Sequence, residues 1–276
     1  MTELAVKLHL DTAVANVRDI VCSGGCRHAS AVECAASTYL VFPYRGVYVR
    51  HVGRNDSVAE SNQVLFFNQG EEYRISHPVG GGDACLSIGV ADECLDELVP
   101  RQHLNDSAAL AFRQQRLRID ARAQALVATL RYSLDRKVAE PLEAETLTLS
   151  LVRHALGERT SHAAAASVGR QKLVDRAKLL LSSDPLRRWT LSEIGAAVGV
   201  SPVYLTQVFR QVEGLPLYRY QLRLRLASAL DMLSSYDDLS RLSLDLGFSS
   251  QSHFTAAFRQ AYGRTPAAFQ RSVRLR

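Results

Sequence analysis

The sequence predicts an α+β chain in two parts: a β-rich half that continues into helices, then an all-α half. Three observations predict it. Between residues 36 and 90, short apolar or alternating runs are separated by turn residues. From residue 92 onward, apolar residues recur at helical spacing. Between residues 189 and 269, one helix pair is written twice, 48 to 49 residues apart.

At 276 residues the chain is long enough for two cores. Apolar residues make up 47% and charged residues 22%, as in ordinary globular proteins. No run of 18 or more apolar residues occurs, so no membrane partner is expected. Met1–Leu8 lacks the basic start and apolar core of a signal peptide. A cytoplasmic protein is therefore expected. The net charge of +5 is unevenly spread. Residues 170–276 carry 16 Lys/Arg against 8 Asp/Glu, a charge of +8, and residues 1–169 carry 17 against 20, a charge of −3. A basic half beside a slightly acidic one suits a DNA-binding module joined to a module of another kind, because phosphate neutralisation supplies most of the affinity for DNA. A basic face that is merely solvated would give the same totals.

Residues 1–20 show no clear pattern. Tyr39–Phe42 is apolar and stops at Pro43, and Val47–Val52 alternates. Val64–Phe67 runs into Asn68-Gln69-Gly70, and Tyr73–His77 into Pro78 and Gly80-Gly81-Gly82. Leu86, Ile88 and Val90 alternate with smaller residues. Short strands at this spacing predict a small β-barrel or jelly roll. Asp92–Leu98 reads as a short helix, Leu117–Tyr132 as a long amphipathic one, and Glu143–Glu158 as a third with Leu147, Leu151 and Leu156 apolar. Residues 161–169, small and ending at Gly169, read as a linker. A helix over Arg170–Ser182 follows, then the first helix pair, a connecting helix over Leu217–Leu233, and the second pair.

The first pair spans Leu191–Gly214 and the second Leu239–Gly263. Leu191 matches Leu239, Gly199 matches Gly247 and Ser201 matches Ser249, all at an offset of 48. After one inserted residue, Phe209-Arg210-Gln211 matches Phe258-Arg259-Gln260 at an offset of 49. Gly247 suits a helix end that needs positive φ, and Ser249 or Ser250 suits the next N-cap. Phe254, Ala257, Phe258 and Ala261 then form a core stripe. Helix, tight turn, and a second helix with a polar outer face is the pattern of a DNA-reading helix-turn-helix. Two copies imply two reading helices, roughly 34 Å apart along the duplex.

At these residues the chain resembles the double helix-turn-helix domain of AraC/XylS-family transcription regulators. The resemblance runs from about Trp189 to Phe269. It is carried by Gly199-Val200-Ser201-Pro202, Tyr204-Leu205, Phe209-Arg210, Gly214, Tyr220, Arg225, Ala229 and Leu233. It continues through Gly247–Phe254, Phe258-Arg259, Tyr262-Gly263 and Thr265-Pro266. Gly195 and Ser243 stand where the family usually has Ala, Gln270 where it usually has Arg, and Ala256 where some members place Arg. The Val64–His77 block resembles the cupin-like sensor domain that precedes such DNA-binding domains. The resemblance implies a cupin-like sensor domain over residues 1–160, a helical segment at about 92–159, a linker at 161–169 and a DNA-binding domain over 170–276. It implies binding of double-stranded promoter DNA, contact with RNA polymerase, a small-molecule effector and a homodimer. The helices of 92–159 either pair between two copies or pack on the barrel.

For DNA contact, the first recognition helix offers Val203, Thr206, Gln207 and Arg210, opposite the stripe Leu205, Val208, Phe209, Val212. The second offers Gln251, Ser252, His253 and Ala256. Gln207 and Gln251 have the chemistry to pair with adenine, and Val203 and Ala256 to meet a thymine methyl. Arg210, Arg259 and Ser249 suit phosphate, and His253 either a base or phosphate or a packing role. Cys22, Cys26, His28 and Cys34 place four potential ligands within 13 residues, but not with the Cys-x2-Cys spacing of zinc knuckles. His28, His51 and His77 with Glu71, Glu72 and Asp83 lack the His-x-His pattern of metal cupins. No P-loop or nucleophile elbow occurs. The sequence therefore predicts no enzyme, no metal and no cofactor. The rival reading is a metal-dependent cupin enzyme, or a metal or thiol sensor, fused to a DNA-binding tail.

Overall fold

The computed structural model describes residues 4–24, 27–105, 110–157 and 167–274. Among the described residues, ten strands form two antiparallel sheets. In chain order they are β1 (Leu4–Asp11), β2 (Ala15–Cys22), β3 (Glu33–Cys34), β4 (Tyr39–Gly46) and β5 (Tyr48–Val52). Then come β6 (Asn55–Ala59), β7 (Gln63–Phe67), β8 (Glu72–Ser76), β9 (Asp83–Val90) and β10 (Arg116–Arg118). One sheet runs β1-β2-β9-β4-β7-β10 and the other β3-β8-β5-β6.

Alternation along the central strands decides the layers. Val41, Leu65, Phe67 and Cys85 point to one side of the larger sheet and share a core with Tyr48 and Ala59 of the smaller. Leu40, Phe42, Val64, Phe66, Leu86 and Ile88 point to the other side, toward the helices. Those helices are α1 (Asp92–Leu98), α2 (Ala121–Asp135) and α3 (Pro141–Ala155). The fold is therefore mixed α+β, as the sequence predicts.

Three local expectations change. Most of the stretch that shows no clear pattern belongs to a strand hairpin over residues 4–22, β1–β2, turned by Thr12, whose hydroxyl accepts hydrogen bonds from Val14 and Ala15 instead of a Gly making the turn. Pro43 does not end its strand. It sits in β4 beside an irregularity in register between Pro43 and Arg45, where its missing N–H does no harm. Leu117 begins no helix: it pairs with Val64, and α2 starts four residues beyond it, at Ala121, where the Asp120 carboxylate caps Ala123 N.

The all-α half contains α4 (Val168–Ser183), α5 (Leu191–Val198), α6 (Pro202–Glu213) and α7 (Leu217–Met232). It ends with α8 (Leu239–Asp245), α9 (Gln251–Tyr262) and α10 (Pro266–Arg274). Most of the expected linker lies outside the described residues, and its last two positions, Val168 and Gly169, already belong to α4. α2 is shared between the halves. Ala123, Val127, Leu130 and Leu134 face the sheet, while Ala128 and Tyr132 complete the core around Phe254 and Phe258. Both apolar faces of α2 are thus occupied within one chain, which favours packing over pairing between copies for this helix.

Candidate nucleic-acid interface

Each helix pair is built by its own caps. In the first, Thr190 and Glu193 form a capping box at the start of α5. Hydrogen bonds from Thr190, then from Arg187, lower the Glu193 carboxyl to about 2. Gly199 ends α5 at φ 76, and the Ser201 hydroxyl accepts from Tyr204 N to start α6. In the second, Asp238 caps α8, Gly247 turns at φ 74, and Ser250 accepts from His253 N to start α9. The N-caps are therefore Ser201 and Ser250, 49 apart, and Ser249 is the inserted residue. The expected match of Ser201 to Ser249 shifts by one.

That shift changes which side chains are equivalent. Val203 corresponds to Ser252, Gln207 to Ala256 and Arg210 to Arg259, while Gln251 takes the place of Pro202. Val203 is 79% exposed, and Gln207 and Arg210 are exposed beside it, with half-buried Thr206 donating to Pro202 O at 2.9 Å. Leu205, Val208, Phe209 and Val212 are buried as expected. On α9, Gln251, Ser252, His253, Ala256 and Arg259 are all exposed, over the buried Phe254, Ala257 and Phe258.

Several of these residues have other partners. Gln251 Oε1 accepts from Ser240 Oγ at 2.8 Å, tying it to α8. His253 lies edge-on to Phe248 at 5.4 Å, and its Nδ1 is 3.1 Å from Ser249 Oγ. His253 is thus both exposed and packed. Gln270 is buried and donates to Leu233 O at 2.7 Å and Tyr236 O at 2.5 Å, so it secures the end of α7. Gly195 is explained by space: a Cβ there would lie 2.8 Å from Val200 O. Ser243, its counterpart, fits by donating its hydroxyl to Ser240 O.

The profile of the helix-turn-helix domain family matches residues 194–272. Those residues are an AraC-type helix-turn-helix domain. Regulatory protein PocR of Salmonella typhimurium is 33% identical over 92 residues, which are 33% of this chain and 29% of PocR. The probable transcriptional regulator LumQ of Photobacterium leiognathi is 31% identical over 110 residues, 38% of this chain and 44% of LumQ. A solved transcriptional regulator described as AraC-type, from Chromobacterium violaceum, is 28% identical with a TM-score of 0.37, covering 39% of this chain and 96% of that one. The chain thus spans less than half the length of either of these two curated relatives.

The AraC-type domain is held against the sheets by two unlike contacts. Around its first pair the contact is ionic and buried. Lys178 of α4 lies 3.2 Å from Glu213 of α6 and 3.7 Å from Glu60, which follows β6. Tyr220 of α7 donates to the same Glu60 at 2.5 Å. Burial alone would raise the Glu213 carboxyl, but Lys178 and Arg116 overrule it and the group is lowered. Burial, reinforced by Glu60, holds the Tyr220 hydroxyl well above its usual range. Arg116 of β10 adds a pair with Asp175 at 2.8 Å. Around the second pair the contact is the apolar core shared with α2, joined by a hydrogen bond from Tyr262 to Gln124 at 3.3 Å. A cavity of about 820 Å³ opens between the smaller sheet and α4, with His51, Arg54, Arg116, Lys172 and Arg176 among its walls.

Sequence reasoning missed Glu60, Lys178 and the cavity, since none of them forms a local motif. The hypothetical metal-cupin set is not gathered. His51 bonds Asp56 and Ser76, and Glu71 pairs with Arg50, while His77 and Asp83 do meet.

Proposed function

We propose that this protein is a cytoplasmic, bacterial-type transcription regulator that binds double-stranded promoter DNA through α6 and α9. One observation carries the reading: an AraC-type domain in which both second helices present exposed polar faces over a buried stripe. Val203, Thr206, Gln207 and Arg210 on α6 and Ser252, Ala256 and Arg259 on α9 are the contact residues, with Ser249, Gln251 and His253 at the entrance to α9. Gln207 reads a base edge, and Arg210 and Arg259 bind phosphate. The domains divide as residues 1–160 for sensing and 170–276 for DNA.

The cavity of about 820 Å³ is the seat for a small-molecule effector, because it touches both halves of the chain. A ligand there would bias the contacts of Arg116, Asp175 and Glu213, and through them the placing of α6. Contact with RNA polymerase follows from the resemblance. The test is selection of random and genomic DNA by the full-length protein at several salt concentrations. A recovered motif with two segments about 10–10.5 base pairs apart, bound with a steep salt dependence, supports the reading. Binding that is indifferent to both sequence and salt refutes it.

A further inference from the structure

The sequence offers two incomplete ligand sets, one around Cys22 and one around His77, and folding brings a member of each together. Cys22 ends β2, Asp83 begins β9 directly opposite it, and His77 follows β8 in the other sheet. Their ligand atoms lie within 4.8 Å of one another. Exposure is 8% for Cys22, 5% for His77 and 6% for Asp83. His77 Nε2 is 2.6 Å from Asp83 Oδ1, and its other nitrogen, Nδ1, is buried without a hydrogen-bond partner among the described residues. A buried polar atom without a partner calls for an explanation, and a bound cation would supply one. The Gly24 N–H donates to Cys22 Sγ at 3.4 Å, which orients the sulfur beside the other two side chains.

We propose that Cys22, His77 and Asp83 form a buried site for a divalent cation of the zinc class. The donor set decides the class. A soft thiolate and an imidazole select zinc or cobalt over calcium or magnesium, which take oxygen ligands. Zinc bonds sulfur at about 2.3 Å and nitrogen or oxygen at about 2.0–2.2 Å, so ligand atoms some 3.5 Å apart enclose it. Small side-chain rotations reach that spacing from the observed one. Binding releases the Cys22 thiol proton to solvent. The ion would pin the two sheets together at the Pro78–Gly82 loop. A second cavity of about 500 Å³ lies between Gly80–Gly82 of that loop and residues Ser182–Leu186 at the end of α4 and just beyond it.

The experiment uses the full chain, stripped by chelator and titrated with Co2+, then with Zn2+ in competition. One Co2+ per chain, with an intense thiolate-to-cobalt charge-transfer band displaced by Zn2+, is expected. Cys22→Ser should abolish the band, and Asp83→Asn should weaken Co2+ binding about tenfold or more. Cys34→Ser, Cys85→Ser and Cys26→Ser should leave both unchanged. Circular dichroism of each variant separates lost binding from lost folding, and the wild-type titration stands whatever the variants do. No band in the wild type, or a band that survives Cys22→Ser or vanishes with Cys26→Ser, overturns the proposal.

Discussion

The two helix pairs share one blueprint and differ in how they are held. Both end the first helix at a left-handed glycine, and both start the second from a serine cap. The first pair is fastened to the sheets by buried charges, Glu60, Lys178 and Glu213, with Tyr220. The second is fastened by an apolar core to which α2 contributes Ala128 and Tyr132. Buried charges are sensitive to losing one partner, whereas an apolar core is sensitive to lost volume. The same motif can therefore respond differently to the same domain. A ligand acting on polar groups would reach the first pair before the second.

The largest expected effects test that contrast. Phe209→Ala and Phe254→Ala should each destabilise the full chain by about 3–5 kcal/mol in denaturant unfolding, since both rings are fully buried. Near-wild-type unfolding of either variant would show that its pair is not part of the cooperative core. Glu60→Ala should lower stability by about 3–5 kcal/mol, because Lys178 loses one of its two carboxylates and Tyr220 its acceptor. Hydrogen exchange should then rise in α4 and α7 while α9 stays protected. Equal loss of protection in α9 would mean that the two attachments act as one.

Next comes base reading. Gln207→Ala should cost about 1–3 kcal/mol on the selected site and relax one segment of it. Gln251→Ala should cost less, under about 1 kcal/mol, because that side chain is engaged with Ser240 and sits at the position of Pro202. The reverse order in DNA selection would restore Gln251 as the reader of the second segment. The caps should matter equally: Ser201→Ala and Ser250→Ala should each lower stability by about 1 kcal/mol.

The smallest effect concerns acid. Glu193 is lowered from the ordinary carboxyl value of about 4.5 to about 2 by the Thr190 hydroxyl and amide and by Arg187. A lowered carboxylate contributes stability that is fully present above about pH 4.5 and is lost as pH falls toward 2. The Asp238 cap of α8 has no such box. Acid should therefore loosen the start of α5 through Glu193, and Glu193→Gln should flatten that dependence. An NMR titration placing Glu193 near its ordinary value would remove the box.

Much of this was legible in the residues. The repeat, its glycines and its core stripes were readable because helix period and helix ends are local properties, set by residues within a few positions of one another. The recognition faces followed from the same arithmetic. Register across the turn did not, since a serine at either of two adjacent positions is an equally good cap and only the built turn selects Ser250. The β1–β2 hairpin escaped because its turn uses a threonine hydroxyl and β1 is largely exposed at the sheet edge. β10 escaped because three residues of a strand cannot establish a period.

By itself, the sequence determined the α+β order, the doubled helix pair, the basic half and which faces of α6 and α9 lie outward. Each depends on contacts between near neighbours or on a sum over composition. Only the tertiary structure decided that α2 belongs to two cores, that Glu60 meets Lys178 and Tyr220, and that Cys22 meets His77 and Asp83. Those meetings join residues tens to more than a hundred positions apart. They arise from how sheets and helices stack, and a single sequence carries no local periodicity for such contacts.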